Sequence, residues 1–115
     1  MSIPNFKRTV SVTIAAGASL SGAGQKDGWR LVGYITDAAW DTQAVSFQAS
    51  VNGTTYVNVY DAAAEYTQAG VTASTFHAVN PAVFEGANYI KVRSGTSGAA
   101  VNQVDATSVT LVLAK

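Results

Sequence analysis

The sequence predicts an all-β protein, an antiparallel β-sandwich of about eight short strands with no substantial helix. Three observations carry this expectation. Apolar residues recur at every second position through most of the chain, the spacing of a strand with one buried face. Gly, Asn, Ser and Asp break the alternation at short, regular intervals. No stretch spaces its apolar residues at the helical interval.

The elements follow in order. In residues 9–14, Val10, Val12 and Ile14 alternate with Ser and Thr and are expected to face inward. Residues 15–24 are too rich in small residues and glycine for a helix and read as a loop. Residues 29–36 read as a second strand with Trp29, Leu31 and Ile35 on the buried face. Gly33 on that face leaves room for a neighbouring ring or marks a bulge. Residues 37–42 form a loop carrying Trp40. In residues 44–58, Val45, Phe47, Ala49 and Val51 alternate with polar residues, and Asn52-Gly53 is a strong hairpin signal because both turn residues tolerate positive φ. Residues 55–60 return as the partner strand. The segment 61–66 admits a helical turn, but its shortness favours a loop leading to a short strand near Tyr66. Residues 74–79 read as a short strand. Asn80 to Phe84 reads as a turn, with Phe84 plugging the core. Residues 88–93 place Tyr89, Lys91 and Arg93 on one face and Ile90 and Val92 on the other. A polar loop at 94–98 follows, and residues 107–114 close the sandwich with Val109, Leu111 and Leu113 facing in.

Composition narrows the function. Of 115 residues, 48% are hydrophobic and 12% are charged. An average domain carries about 25% charge. Seven basic residues balance seven acidic ones, which argues against a phosphate-driven nucleic-acid binder. The absence of cysteine excludes disulfides and thiolate metal sites. No apolar run approaches the about 20 residues that span a bilayer, and the N-terminus lacks the apolar core of a signal peptide. The expectation is one domain over residues 1–115, made in the cytoplasm, with residues 1–8 a candidate N-terminal arm. The surface left by so few charges is Ser, Thr, Asn, Gln, Gly and Ala, which suits a protein docked to something else.

Chemistry-bearing residues are few. His77 is the one histidine, and no Gly-x-Ser-x-Gly elbow surrounds any serine, so no catalytic residue is expected. One histidine without cysteine cannot hold zinc, and the scattered acids fit no calcium-loop spacing, so neither a metal nor another cofactor is expected. Asp37 and Asp41 flank Trp40, an arrangement that suits sugar hydroxyls under an aromatic ring. It equally suits two turn aspartates bonding their own backbone. Large rings are numerous for so small a chain. Tyr34 and Tyr89 fall opposite the aliphatic core positions, and Trp40 and Tyr60 lie in or near loops. Tyr34, Trp40, Tyr60 and Tyr89 are therefore the candidate interface or glycan-stacking residues, with Asp37 and Asp41 as polar contacts. About half of these rings would serve equally well as caps on the open ends of a sandwich. An enzyme is not expected.

A resemblance adds to this reading. Residues 29–41, the hairpin 45–56, the segment 88–99 with its Arg93-Ser94-Gly95-Thr96-Ser97-Gly98 run, and residues 109–113 resemble small virion structural proteins of tailed bacteriophages. The hairpin and the 89–98 strand also resemble discoidin-like, galactose-binding-like jelly rolls. The resemblance implies a jelly-roll head decoration or cement protein found on the virion. Its implied partners are the major capsid protein or other virion subunits and further copies of itself, with host glycan as the alternative ligand. It brings no site residues with it.

Overall fold

The computed structural model describes residues 7–115, so the candidate arm at residues 1–8 lies outside the described residues except for Lys7 and Arg8. The alternating segments are strands: β1 (Lys7–Ile14), β2 (Gly24–Gln25), β3 (Arg30–Thr36), β4 (Gln43–Ser50), β5 (Val57–Asn58), β6 (Tyr60–Asp61), β7 (Ala64–Glu65), β8 (Gln68–Val71), β9 (Phe76–Ala78), β10 (Tyr89–Ser94) and β11 (Thr107–Ala114). The single helical element among the described residues is a 3-10 turn, Pro81–Phe84, started by proline and capped by Asn80, whose side chain accepts from the Ala82 amide.

Two sheets face one another. The first runs β1-β11-β3-β9 and the second β2-β10-β4-β5, with β8 also beside β4; β6 and β7 form a separate small hairpin. All pairings are antiparallel. The partners nest. β1 takes β11, β2 takes β10, β3 takes β9, and β4 takes β5 and β8. A chain folded once into a long hairpin and then wrapped around a core has this order, which is that of a jelly roll. The strand count exceeds eight because the returning arm after β4 is divided into short pieces, β5 to β8.

The two most regular segments match the expectation residue for residue. In β1, Val12 and Ile14 are buried while Thr9, Ser11 and Thr13 face solvent. In β11, Val109, Leu111 and Leu113 are buried. The core between the sheets centres on Phe47. Its ring lies 5.8 Å from that of Tyr34, 6.1 Å from Tyr66 and 5.1 Å from Phe84. The expected plug at Phe84 is there, 1% exposed.

Two local expectations are corrected. In β3 the register against β11 skips a residue: Gly33 faces Val112 and Leu31 faces Leu113, so Val32 bulges. The bulge shifts the alternation by one. Ile35, expected inward, is 40% exposed, and Tyr34 points into the core. Gly33 does both things that a strand glycine can do, since a Cβ there would stand 2.5 Å from Phe76 Cζ as well as beside the bulge. The hairpin after β4 is longer than a two-residue turn. Ala49 pairs with Val57, and the Ser50 hydroxyl and the Asn52 side chain take the loop amides of residues 52 to 55. Only Gly53 has positive φ, at 79°, and Val51, expected inward, is 66% exposed. The segment 61–66 meets the expectation of a loop leading to a short strand near Tyr66: residues 62 and 63 turn between β6 and β7, and no helical turn forms.

Lys26 ties β2 to the 3-10 turn. It is 4% exposed, and its Nζ donates to the Phe84 carbonyl at 2.5 Å, an oxygen that the Ala87 amide also reaches. Desolvation holds the ammonium below its ordinary pKa, with Glu85 opposing weakly. The folded state therefore binds this proton less readily than the unfolded chain does. Its contribution to stability should rise as pH climbs through the window between the lowered value and 10.5. Lys26→Met keeps the packing and leaves the Phe84 carbonyl bonded. We expect it to be about 1 kcal/mol more stable than the parent at pH 7, with the gap closing toward pH 10, in denaturant titrations of the two proteins.

Candidate docking groove

The sequence-nominated residues separate into buried and exposed groups. Tyr34 is fully buried, and its hydroxyl donates to Gln68 Oε1 at 2.5 Å. The ring stacks on His77 at 5.5 Å, and His77 Nε2 in turn meets the Thr75 hydroxyl at 2.9 Å. Burial, reinforced by Tyr66, pushes the Tyr34 phenol far above its ordinary pKa, so it stays a donor. Trp40 is 3% exposed, and its Nε1 donates to the Val71 carbonyl at 2.9 Å. Neither ring is available for an interface or for stacking. The bulge carries Tyr34 inward, and an acceptor inside the sandwich draws in the indole.

Asp37 and Asp41 are stitches between loops. Asp37 accepts from the Ala39 amide at 3.1 Å, the Thr107 hydroxyl at 2.5 Å and the Ser108 amide at 2.8 Å. Desolvation alone would raise its pKa. The hydrogen bonds from Ser108, Thr107, Ala39 and Trp40 outweigh it and hold the carboxyl below the usual range. Asp41 Oδ2 accepts from the Val104 amide at 2.9 Å, and the fully buried Gln103 bonds both the amide and the carbonyl of Asp41. Both acids thus join the 37–41 loop to residues 103–108, and neither is presented with Trp40 as a sugar site. Among the described residues no cluster of three or more His, Cys, Asp or Glu is placed to hold a metal.

Tyr89 and Tyr60 are not enclosed in the core, and Tyr89 lies on the second sheet. Tyr89 is half-buried under the loop after β4, where a Cβ at Gly53 would stand 3.0 Å from its ring. On the same outer face Lys91, Gln48 and Asn58 stand in register across three strands, and Lys91 Nζ sits 4.2 Å from the centre of the Tyr56 ring. Next along β10, Arg93 is 6% exposed and donates to Ser46, Asn58 and Glu65. Its Nη2 stands 2.8 Å from Glu65 Oε2. Glu65 also accepts from the Ser97 amide. This ion pair clamps the β6–β7 hairpin and the 94–98 loop to the sheet.

Tyr60 stands at a different feature. The groove there, of about 590 Å³, lies between the β4–β5 hairpin and the segment after the 3-10 turn. Ala49, Val57 and Val59 line it from the hairpin, and Val83 and Ala87 line it from the other side. Val51 at 66%, Val57 at 62% and Tyr60 at 53% exposed make its rim apolar, and no residue lining it is charged. A concave apolar site within the usual span of about 300–1,000 Å³ is where a ligand or partner side chains are most readily desolvated. Of the nominated residues only Tyr60 belongs to it. Val51 was hidden from sequence reasoning because it continues the same alternation as the core residues Val45 and Phe47, and the lengthened loop after β4 exposes it.

No protein-family model matches the chain, and no curated protein matches it.

Proposed function

We propose that this chain is a non-enzymatic virion structural protein, a decoration or cement protein that docks on a phage head shell through the apolar groove. Its partners on this reading are the major capsid protein or a neighbouring virion subunit. The observation that carries the reading is the uncharged groove with Val51, Val57 and Tyr60 exposed at its rim. Exposed apolar surface on a rigid scaffold is the signature of a docking site. The near-neutral chain supports it, because few charges must lose water when the surface is covered. Repetition over a symmetric shell multiplies weak contacts into stable attachment. The likeness of residues 29–41, 88–99 and 109–113 to phage structural proteins supplies the setting.

A second reading has its own observation. The row Lys91, Gln48 and Asn58 beside Tyr56 offers donors, acceptors and a ring face, which suits a host-surface glycan. Co-sedimentation with intact particles tests the first reading, and calorimetric titration with surface polysaccharide tests the second. Val57→Asp should abolish particle binding while leaving stability within about 0.5 kcal/mol, because the side chain is largely exposed in the free protein. A protein found only free in lysate overturns the docking reading. A Val57→Asp variant that binds particles like the parent removes the groove from it.

A further inference from the structure

The open edges of the two sheets differ greatly in length. β2 and β5 have two residues each, β9 has three and β8 has four. β1 has eight, pairs along its whole length with β11, and contains no proline and no bulge. Its charges, Lys7 and Arg8, are confined to one end. Short length, proline, bulges and central charges are the devices that keep edge strands from pairing with other chains, and β1 lacks all of them.

Its backbone polarity can be read. The Thr13 carbonyl accepts from the Gly22 amide at 3.3 Å and so points away from β11. Strand backbone groups alternate in direction, so those of Lys7, Thr9 and Ser11 also point to the open side. Among the described residues none of these groups has a partner there.

We propose that β1 is a self-association edge: a second copy of this chain pairs with it antiparallel, Thr9 opposite Thr9 and Lys7 opposite Ser11. This register uses all three outward residues and leaves Thr13 to Gly22. It also settles direction, because a parallel pairing would stack Lys7 on Lys7 and Arg8 on Arg8, whereas the antiparallel one sends the two basic ends apart. On the outer face Thr9 meets Thr9 at the symmetry axis and Lys7 meets the uncharged Ser11, so no like charges are opposed; all three residues are exposed. The two four-stranded sheets then join as one sheet through both copies. The groove lies on the other sheet, so this inference stands apart from the proposed docking and fails or survives separately.

The chain has no cysteine, so single-cysteine variants report the register directly. Paired residues in this geometry lie about 5.5 Å apart, well within the reach of a short thiol crosslinker. Thr9→Cys should crosslink to a covalent dimer several-fold more readily than Thr13→Cys, whose two copies the register holds far apart. By sedimentation at about 0.1–1 mM the parent should show a dimer. Thr9→Lys, which opposes two ammonium groups across the symmetry axis, should be monomeric with unchanged melting temperature. A parent that stays monomeric over this range overturns the proposal. So does a Thr13→Cys variant that crosslinks as readily as Thr9→Cys, or a Thr9→Lys variant that stays dimeric.

Discussion

Glu65→Ala is expected to destabilise the protein by about 3–5 kcal/mol, because it leaves the Arg93 guanidinium buried without its counter-charge. The side chains of Arg93 and Glu65 are only 7% and 13% exposed, so water cannot take over the lost contact. The Ser97 amide loses its acceptor in the same step. The pair is expensive to break and yet contributes little against an apolar replacement, since both ions gave up hydration to form it. The double variant Arg93→Met, Glu65→Leu should therefore recover most of the loss. A double-mutant cycle by denaturant unfolding measures both numbers. Glu65→Ala within 1 kcal/mol of the parent, by the same standard of about 3–5 expected, would show that the clamp carries little.

Phe47→Ala should cost a similar amount, about 3–5 kcal/mol, for an apolar reason. Phe47 is fully buried and lies against Tyr34, Tyr66 and Phe84, so its removal opens a cavity at the one place where three other rings converge. Those rings are held in place. Tyr34 is hydrogen-bonded to Gln68, the Tyr66 hydroxyl accepts from the Asn80 amide, and Phe84 is fixed by the capped 3-10 turn. They cannot collapse into the gap, which puts the cost toward the upper end of that span. Phe47→Leu should cost about 1 kcal/mol, since most of the volume stays. Thermal unfolding of the pair checks the contrast, and Phe47→Ala no worse than Phe47→Leu would show a core that re-packs freely.

How far the fold was legible depends on local regularity. β1 and β11 could be read residue by residue because each alternates without interruption and has one covered face. β3 could be read only to Gly33. A bulge costs the strand its phase, and period two alone cannot say whether a glycine marks close packing or an extra residue; here it marks both. Asn52-Gly53 located the turn but not its length, which the Ser50 hydroxyl and the Asn52 carbonyl decide by taking loop amides. The candidate site was less legible than the fold. Tyr34 and Trp40 looked like surface rings, but each has a polar atom that finds an acceptor inside. Asp37 and Asp41 looked like a ligand pair but bind amides of residues far along the chain. The groove residue Val51 looked like core, and Arg93, which shares a face with Tyr89 and Lys91 opposite the core positions Ile90 and Val92, is nevertheless buried. In each case the deciding partner is remote in sequence, and no local pattern carries it.

The nested pairing of strands sets the order in which the molecule can come into being. β1 is synthesised first, yet its partner β11 is the final strand, and β2 and β10 are separated almost as widely. Only β4 and the short strands after it can pair early with near neighbours. Closing such long loops costs entropy before any contact repays it, which slows folding relative to chains rich in local contacts. The Ser/Thr-rich β1 must therefore stay unpaired while the strands between it and β11 are made, and the first sheet closes only once residues 107–114 are free to pair with it.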